Sequence, residues 1–394
     1  MKRTRVPVDH NGSNTRPGVL AGIAILALCS LSATAEQRPP EYRVIDLGES
    51  GSSFFGGIYA LNNDGEGTGA NEQGHAVLFR KGETKDLGTL EDFGSSLGYG
   101  INREGEIAGL SDMQSEPHHA PHAFLYRHGQ MRDLGTFGGT QSFASAINSQ
   151  GEIVGGAAYP GDAVQHAFVY RNGRMTDIGS LGGNYSYGYG INSWGAVVGS
   201  SSLDSNPSPH HAFLYSEGKM KDLGTLSAGN SEALAINCAG QVIGDSATVN
   251  QDGAAHAFIY EKGRMQDIGT LYGDNYSIGY SINSEGEAVG ASGYTVGQTN
   301  HAFLYVDGKM LDLLTLIDPS DPLLPASLVA ARAINDHGVI GVNGYAHSTD
   351  ALVHAYLLVP RGNHYRDDER SAWHKAHARE CWREWIEEQS PSWR

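Results

Sequence analysis

The sequence predicts an all-β protein, a seven-bladed β-propeller made of four-stranded repeats of about 45 residues and closed by its N-terminal strand. Three observations support this prediction. A His-Ala-Phe type of segment recurs seven times, each repeat contains two hairpin signals, and the two ends of the repeat region hold complementary fragments of one repeat. A period of this length with four short strands is typical of propeller blades.

The repeat is marked by one histidine and one Asn-x-x-Gly element in each unit. The Asn-x-x-Gly elements run from Asn62 and Gly65 in the first unit to Asn335 and Gly338 in the last. The seven histidines are His75, His122, His166, His211, His256, His301 and His354. Self-similarity at a fixed period should be settled before any single motif is interpreted, because it determines the whole fold.

Within each unit the pattern predicts β-strands. HAFLY and MRDLG are short runs rich in aromatic and branched residues, and the x-Gly pair between them indicates a tight hairpin turn. SFASAIN and EIVGG form a second hairpin around 148–151. Small residues stand four and two positions before each Asn, as at Ala144 and Ala146, so we expect this strand to be innermost and these positions to lie near a crowded axis. MRDLG is then the outermost strand.

The two ends of the repeat region predict how the ring closes. The last unit stops after the strand at 354–359 and has no DLG strand. The missing strand stands at 42–48, YRVIDLG, before the first complete unit. An N-terminal strand that completes the last blade explains both fragments and removes the exposed sheet edges.

The recurrent His and Asp are predicted to be architectural. The hairpin register places His122 and Asp133 diagonally on one face of the sheet, within side-chain reach, where an imidazole can donate to a carboxylate and tie the third strand to the fourth. An active site needs one constellation rather than seven identical ones; a sevenfold metal ring is the alternative. The residues assigned this structural role are His122, Asp133, His166, Asp177, His211 and Asp222.

Together these motifs resemble a known repeat. HAFLY, then a DLGTLGG-like segment, then AxxINxxGxxVG is similar to the HAF repeat, a family of bacterial proteins regarded as extracellular. The resemblance covers residues 42–360. It implies an exported repeat protein and provides no catalytic residues.

The segments outside the repeats have their own signatures. Residues 1–35 combine a basic start, an apolar run from 19 to 28 and a small-x-small site at 33–35, which predicts a secretory signal peptide and a secreted or periplasmic protein. Residues 36–360 form the propeller. Residues 361–394 are a charged tail in which Trp373, His377, Cys381 and Trp385 recur near helical spacing, predicting a short amphipathic helix.

Charge excludes some partners. The chain has 27 basic and 44 acidic residues, and without residues 1–35 its net charge is about −20. A surface of that sign repels phosphate backbones, which argues against nucleic acid and anionic membranes. It is compatible with neutral sugars and with divalent cations such as Ca²⁺; no other cofactor and no specific metal site is predicted. Cys238 and Cys381 leave one disulfide open.

The variable loops are the predicted binding surface. Connections before HAF and after DLG are longer than the tight turns, and all of them emerge on one face. Functional residues favour loops held by a rigid scaffold. Tyrosine faces can stack on sugar rings while amides and carboxylates bind hydroxyls; ordinary turn chemistry is the alternative for any single loop. The ligand-binding candidates on this face are Phe93, His118, His119, Tyr159, Tyr185, Tyr187, Asp204, Tyr272, Asp274 and Tyr276.

The sequence therefore predicts an exported binding or interaction module for a carbohydrate or a protein partner. The alternative is a carbohydrate-active hydrolase or lyase. Its catalytic candidates are Glu232 and Asp245, which the hairpin places opposite each other and which could bind a cation, share a proton or point into solvent. The HExxH, GxSxG, phosphate-loop and Asp-box motifs do not occur in the sequence.

Overall fold

The structure is a computed structural model that describes residues 40–51, 56–91, 94–113, 120–248, 254–293, 300–350 and 352–361. The predicted signal peptide and the predicted helix of the C-terminal tail lie outside these ranges. Within them, twenty-eight strands form seven four-stranded antiparallel sheets. No helix among the described residues combines the length and the apolar character needed to span a membrane.

Strand β1 (Glu41–Glu49) comes first in the chain, and six blades of four consecutive strands follow it. Blade 1 consists of β2 (Gly57–Leu61), β3 (Gly67–Ala70), β4 (Ala76–Arg80) and β5 (Glu83–Asp86). Blade 2 consists of β6 (Ser96–Ile101), β7 (Ile107–Asp112), β8 (Pro121–Arg127) and β9 (Gln130–Asp133). Blade 3 consists of β10 (Ser142–Ile147), β11 (Ile153–Ala158), β12 (Gln165–Arg171) and β13 (Arg174–Asp177).

The remaining blades repeat this order. Blade 4 consists of β14 (Ser186–Ile191), β15 (Val197–Ser202), β16 (His210–Ser216) and β17 (Lys219–Gly224). Blade 5 consists of β18 (Ser231–Ile236), β19 (Val242–Ala247), β20 (Ala255–Glu261) and β21 (Arg264–Asp267). Blade 6 consists of β22 (Tyr276–Ile282), β23 (Ala288–Gly293), β24 (His301–Val306) and β25 (Lys309–Asp312), followed by a 3-10 helix at Leu313–Leu316. Blade 7 consists of β26 (Ser327–Ile334), β27 (Ile340–Tyr345), β28 (His354–Arg361) and β1.

Strand β1 closes the ring as the sequence predicted. It pairs with β28 in antiparallel register, with Tyr42 opposite Pro360 and Asp46 opposite Tyr356. Around the axis, the first strand of every blade contacts the first strands of both neighbours, including β26 with β2. Asn343 of blade 7 also bonds both backbone groups of Ile58 in blade 1, at 2.9 and 3.3 Å. The seven-bladed β-propeller is therefore confirmed.

Each residue of the HAF segment has a separate packing role. The Phe is fully buried in the core between blades wherever it occurs, as at Phe124 and Phe168. The backbone amide of the Ala donates to a serine hydroxyl on the first strand of the next blade, as from Ala123 to Ser142 at 2.9 Å, and four other blade interfaces repeat this bond. The segment thus joins neighbouring blades as well as strands of one blade.

The seven His–Asp pairs are present as structural links. Each His Nδ1 lies 2.9–3.5 Å from its Asp carboxylate, and the pair in blade 7 joins His354 to Asp46 of β1, across the closure. The other carboxylate oxygen accepts a backbone amide two residues on, as from Gly135 to Asp133 at 2.7 Å. Most members of the pairs are partly exposed, because they lie near the ends of the outer strands, whereas Asp312 is buried.

The recurrent Asn of each repeat caps its own turn and also binds the next blade. Oδ1 of Asn335 accepts the amides of His337 and Val339 at 3.0 Å, which holds the turn. Nδ2 donates to the backbone oxygen of the corresponding Asn in the neighbouring blade, and the last bond, from Asn335 to Asn62 at 3.0 Å, closes a circle of seven. The ring bonds are Asn62 to Asn102, Asn102 to Asn148, Asn148 to Asn192, Asn192 to Asn237, Asn237 to Asn283, Asn283 to Asn335, and Asn335 to Asn62.

One sequence expectation about the axis needs correction. The strand that contains Ala144 and Ala146 is innermost, and Ala146 lines the axial cavity as expected, but Ala144 does not, and both positions lie close to neighbouring blades. A side chain at the equivalent Gly100 would meet the Ala146 backbone at 2.9 Å, and one at Gly98 would meet Thr68. A β-bulge in every first strand turns the residue between the two small ones towards the axis, as at Ser145.

Breaking the ring bond at Asn335 should destabilise the fold. Asn335→Asp keeps the turn acceptor but replaces the buried Nδ2 donor with an oxygen that faces the Asn62 carbonyl, so we expect a loss of about 1–3 kcal/mol of unfolding free energy. Urea denaturation measures it. Asn172→Asp, in an exposed hairpin turn, is the control. An equal effect of both substitutions would show that the ring bond adds no stability.

The His–Asp pairs predict acid sensitivity. Partial burial alone would raise the pKa of Asp133, but the bonds from His122 and the Gly135 amide outweigh it and lower that pKa; the pKa values of Asp86 and Asp177 are lowered likewise. A lowered pKa gives stability that is present above the unfolded value of about 3.9 and is lost as pH falls further.

Replacing these three aspartates with Asn should therefore flatten the fall in unfolding free energy below about pH 4. Because the carboxylates are partly exposed, we expect each to contribute only about 0.5 kcal/mol. Urea titrations from pH 2.5 to 7 measure the effect, with the exposed Asp307→Asn as control. An unchanged acid slope in the triple variant would contradict the prediction.

Candidate functional site

The first strand of every blade lines the axis of the propeller, and the bulge residue of each contributes to this lining. These residues stand three positions before the ring Asn and border one cavity of about 280 Å³. In blade order they are Tyr59, Tyr99, Ser145, Tyr189, Leu234, Tyr280 and Arg332. Four of the seven are tyrosines and one is cationic, so the sevenfold frame carries an irregular and chemically specific lining.

Arg332 lies within an arc of aromatic rings. Its guanidinium carbon is 4.0 Å from the ring centroid of Tyr280 and 5.7 Å from that of Tyr59. Tyr59 in turn packs edge-on against Tyr99, with centroids 5.2 Å apart. Burial, together with the neighbouring Tyr59, raises the pKa of the Tyr99 hydroxyl to about 12, so this arc presents neutral phenols around one positive charge.

Glu232 and Asp245 lie opposite each other on β18 and β19, as the hairpin predicted. Nε2 of His210, from blade 4, is 3.0 Å from the Glu232 carboxylate, and this hydrogen bond raises the pKa of His210. Burial, and then the charge of Glu232, raise the pKa of Asp245 to about 7. Within the described part of the chain no hydrogen bond holds the Asp245 carboxyl, which makes it the least satisfied acid of the group.

Tyrosines of neighbouring blades adjoin this acidic pair. Burial and the nearby charges raise the pKa of Tyr189 in blade 4 and of Tyr276 in blade 6. The charges of both Asp245 and Arg332 act on Tyr276 and also on Tyr280. The charges of Asp245 in blade 5 and of Arg332 in blade 7 therefore both reach the tyrosines of blade 6, the blade between them.

A larger cavity extends from the axis between blades 6 and 7. It has a volume of about 690 Å³ and is lined by Tyr280, Arg332, Ser327, Tyr345 and Asn300, among others. Cavities of 300–1,000 Å³ with a few convergent polar groups are typical of small-molecule sites. This cavity gives a ligand access to the arc around Arg332.

Two of the ligand-binding candidates from the sequence lie on the first strands on either side of blade 5, Tyr187 on β14 and Tyr276 on β22. Tyr187 stands in a smaller cavity with Tyr189, its hydroxyl donating to Gln165 at 3.0 Å, and its ring lies 5.6 Å from that of Phe143. Tyr276 adjoins the acidic pair. Tyr185 directly precedes strand β14, and its backbone oxygen accepts a hydrogen bond from the Ser202 amide. The charges of Asp245 and Glu232 act on Tyr276, whereas the hydroxyl of Tyr187 is bonded to Gln165.

Other candidates occupy the rim. Tyr159 donates to Asp177 at 2.7 Å, and Tyr272 donates to Asp312 at 2.9 Å, so each phenol joins a His–Asp pair. Asp274 accepts from the Ser292 hydroxyl at 2.8 Å, and Asp204 accepts the Asn206 amide in an exposed turn.

The remaining three candidates, Phe93, His118 and His119, lie outside the described residues, as does Cys381 of the open disulfide. Among the residues that are described, no group of three or more His, Cys, Asp or Glu side chains is arranged to hold a metal ion. Ca²⁺ therefore has no assembled site in that part of the chain.

Sequence reasoning missed His210 and the axial residues. The residue before the HAF histidine reaches the first strand of the next blade, as Gln165 reaches Tyr187 and His210 reaches Glu232. Regular strand alternation predicts only the small residues at the axis, and it therefore misses the bulge residue between them. The sequence feature that could have predicted them is a position whose residue type varies between repeats while its two flanking positions are nearly always small.

Comparisons with known proteins add no assignment. No family model and no curated protein matches the sequence, so the resemblance to the HAF repeat stays a prediction. Among solved structures, a gluconolactonase from Xanthomonas campestris is 10% identical with a TM-score of 0.40, covering 82% of this chain and 95% of that one. The corresponding values for a chain of the mitotic checkpoint complex are 12%, 0.44, 88% and 99%.

A third similar structure is the extracellular domain of a protein assigned as a one component system from B. thetaiotaomicron. It is 12% identical with a TM-score of 0.45, and the match covers 80% of this chain but only 39% of that one. At such identities and scores these likenesses give no information about ligand or activity. The blade count rests on the strand pairing itself.

The raised pKa of Asp245 predicts a pH-dependent gain on its removal. The carboxyl ionises near pH 4 in the unfolded chain and near pH 7 in the folded one, so the folded state is penalised as pH rises between these values. Asp245→Asn should match the wild type below pH 4 and exceed its unfolding free energy by up to about 4 kcal/mol above pH 7.

Urea denaturation between pH 3.5 and 8.5 measures this difference. Asp204→Asn, in an exposed turn, is the matched control and should show no such trend. A difference between Asp245→Asn and the wild type that does not vary with pH would contradict the prediction.

Proposed function

We propose that this chain is an exported binding module that takes a carbohydrate in the mouth of its central channel. The observation that carries the proposal is the axial lining itself. Four of the seven bulges place tyrosines in one channel, namely Tyr59, Tyr99, Tyr189 and Tyr280. The paired acids Glu232 and Asp245 lie on blade 5. No residue of this lining takes part in the Asn ring or the His–Asp pairs that hold the frame.

The chemistry of the lining suits a polyol. Phenol rings offer flat apolar faces to the C–H side of a sugar ring, while their hydroxyls remain available for hydrogen bonds. At the mouth, Glu232 accepts a hydrogen bond from His210, and Asp245 has a carboxyl that no described residue satisfies. A sugar hydroxyl could supply the missing partner, and tyrosine orders few rotatable bonds when it binds.

The arrangement of the acids favours binding over hydrolysis. Two-carboxylate glycoside hydrolysis places its acids on either side of the scissile bond. Glu232 and Asp245 are cross-strand neighbours on one blade, so they approach a ligand from the same wall of the channel. The residues that line the axial cavity include no acidic side chain that could act opposite them.

A second candidate function remains the hydrolase or lyase, and one observation favours it. With a pKa of about 7, Asp245 is protonated in a large fraction of molecules at neutral pH, as a general acid requires. Turnover of a polysaccharide that disappears in Asp245→Asn or Glu232→Gln would establish this function and overturn the binding-only proposal.

Removing one axial ring should weaken glycan binding. Tyr189→Ala deletes a stacking face in the channel, so we expect the Kd for a bound glycan to rise roughly tenfold, about 1.4 kcal/mol. A glycan array identifies the glycan, and isothermal calorimetry measures the Kd. Thermal denaturation checks that the variant is folded.

Tyr272→Ala provides the matched comparison, because Tyr272 lies on the rim and is 68% exposed. It should leave the Kd unchanged. A larger effect of Tyr272→Ala than of Tyr189→Ala would move the site from the channel to the variable loops, and the absence of any glycan binding would overturn the proposal.

A further inference from the structure

Arg332 is the one axial residue whose charge is uncompensated. It is the only cation among the seven bulge residues. Its Nε is buried and has no hydrogen-bond partner, and within the described residues its guanidinium forms no ion pair. Its contacts are the ring faces of Tyr280 and Tyr59.

Four other arginines of the described propeller lie against carboxylates, in contrast to Arg332. Arg80 lies against Glu66, Arg127 against Glu106, and Arg171 against Glu152, each with N–O distances of 2.5–2.6 Å. Arg361 bonds Asp318 and Asp321 at 2.9 and 3.0 Å. Among the described residues no carboxylate forms an ion pair with Arg332, not even Asp350, which lines the same cavity.

A partly buried guanidinium without a counter-ion is unfavourable for folding, because desolvation of the charge is not repaid by an ion pair. The stacking on Tyr280 compensates part of this loss. The planar N–H fork stays available, and the cavity of about 690 Å³ leads to it. The site is therefore arranged to receive an anion from outside the chain.

We propose that Arg332 binds the carboxylate of an acidic sugar, such as a uronate residue, whose hydroxyls extend towards Asp245 and Glu232. This inference rests on the proposed carbohydrate function and names its ligand class. A guanidinium fork matches the two oxygens of a carboxylate, and the tyrosines on either side match the ring of a sugar.

The acidic end of the site distinguishes this ligand from others. Glu232 is already bonded to His210, and burial raises the pKa of Asp245 to about 7, so this end of the site offers hydroxyl partners rather than a strong ammonium site. The same acids and the negative net charge disfavour phosphate dianions. A monoanionic polyol satisfies both ends.

The test compares acidic oligosaccharides with their own neutral forms. Oligogalacturonate, oligoguluronate and oligoglucuronate are titrated by calorimetry beside the same oligosaccharides after reduction of their carboxylates to alcohols. We expect at least one uronate to bind tenfold or more tightly than its reduced form. Arg332→Gln should abolish that preference while leaving the Kd of the reduced form within about twofold.

Two further variants fix the interpretation. Arg332→Lys keeps the charge but loses the fork, so it should retain only part of the preference. Arg132→Gln removes a positive charge from the exposed outer strand β9 and should change nothing, which separates the local site from net charge. Thermal denaturation should place Arg332→Gln at or above the wild type, because an uncompensated charge is removed.

The outcomes separate this inference from the proposed function. Equal binding of acidic and reduced oligosaccharides, or binding of neutral glycans only, would overturn the role of Arg332 and leave the carbohydrate module standing. Arg332-dependent binding of free amino acids or inorganic phosphate without binding of uronates would also overturn the inference. Absence of binding to any glycan, acidic or neutral, would overturn both.

Discussion

The circle of seven asparagines is the constraint on which the propeller depends. Each side-chain amide joins its own turn to the next blade, and each Asn carbonyl accepts both its own turn glycine and the preceding amide, as Asn62 does from Gly65 and Asn335. Because every bond runs in the same direction, the ring closes only if seven blades repeat the same angle. The ring is therefore closed at two distances from the axis. The bond from Asn335 to Asn62 closes it near the axis, and the pairing of β1 with β28 closes it at the outer edge.

This ring also explains why the axis is free for chemistry. The turn fixes the end of each first strand, and the small residues beside the bulge let adjacent strands approach closely, as Gly100 approaches Ala146. The bulge residue between them is not needed for this close approach between blades, and it lines the channel. Bulges commonly re-aim a side chain beside a functional site. Here the same device is repeated seven times, and the position that faces the channel carries Tyr in four blades and Ser, Leu and Arg in the other three.

The sequence contained the frame but concealed the site, and the reason is physical. Blade number, closure, the pairing of His122 with Asp133 and the opposition of Glu232 to Asp245 all follow from spacing and strand alternation, which a hairpin register preserves. A bulge breaks that alternation without changing the repeat length. Alternation therefore predicts Ala144 and Ala146 at the axis and misses Ser145, which lines it. Contacts between blades were equally invisible, since the partner of Tyr272 is Asp312, forty residues away, and the partner of Glu232 is His210.

The two least favourable features of the channel lie in the same site. Asp245 faces a like-charged neighbour and lacks a described hydrogen bond, and Arg332 lacks a carboxylate although acids are abundant elsewhere in the chain. A fold in which seven His–Asp pairs and seven ring bonds are repeated with little variation has the means to satisfy such groups. Unsatisfied polar groups that persist in an otherwise consistent structure concentrate at functional sites. An acid without a partner and a cation without a partner, separated by the tyrosines of blade 6, are what a ligand carrying both hydroxyls and a carboxylate would complete.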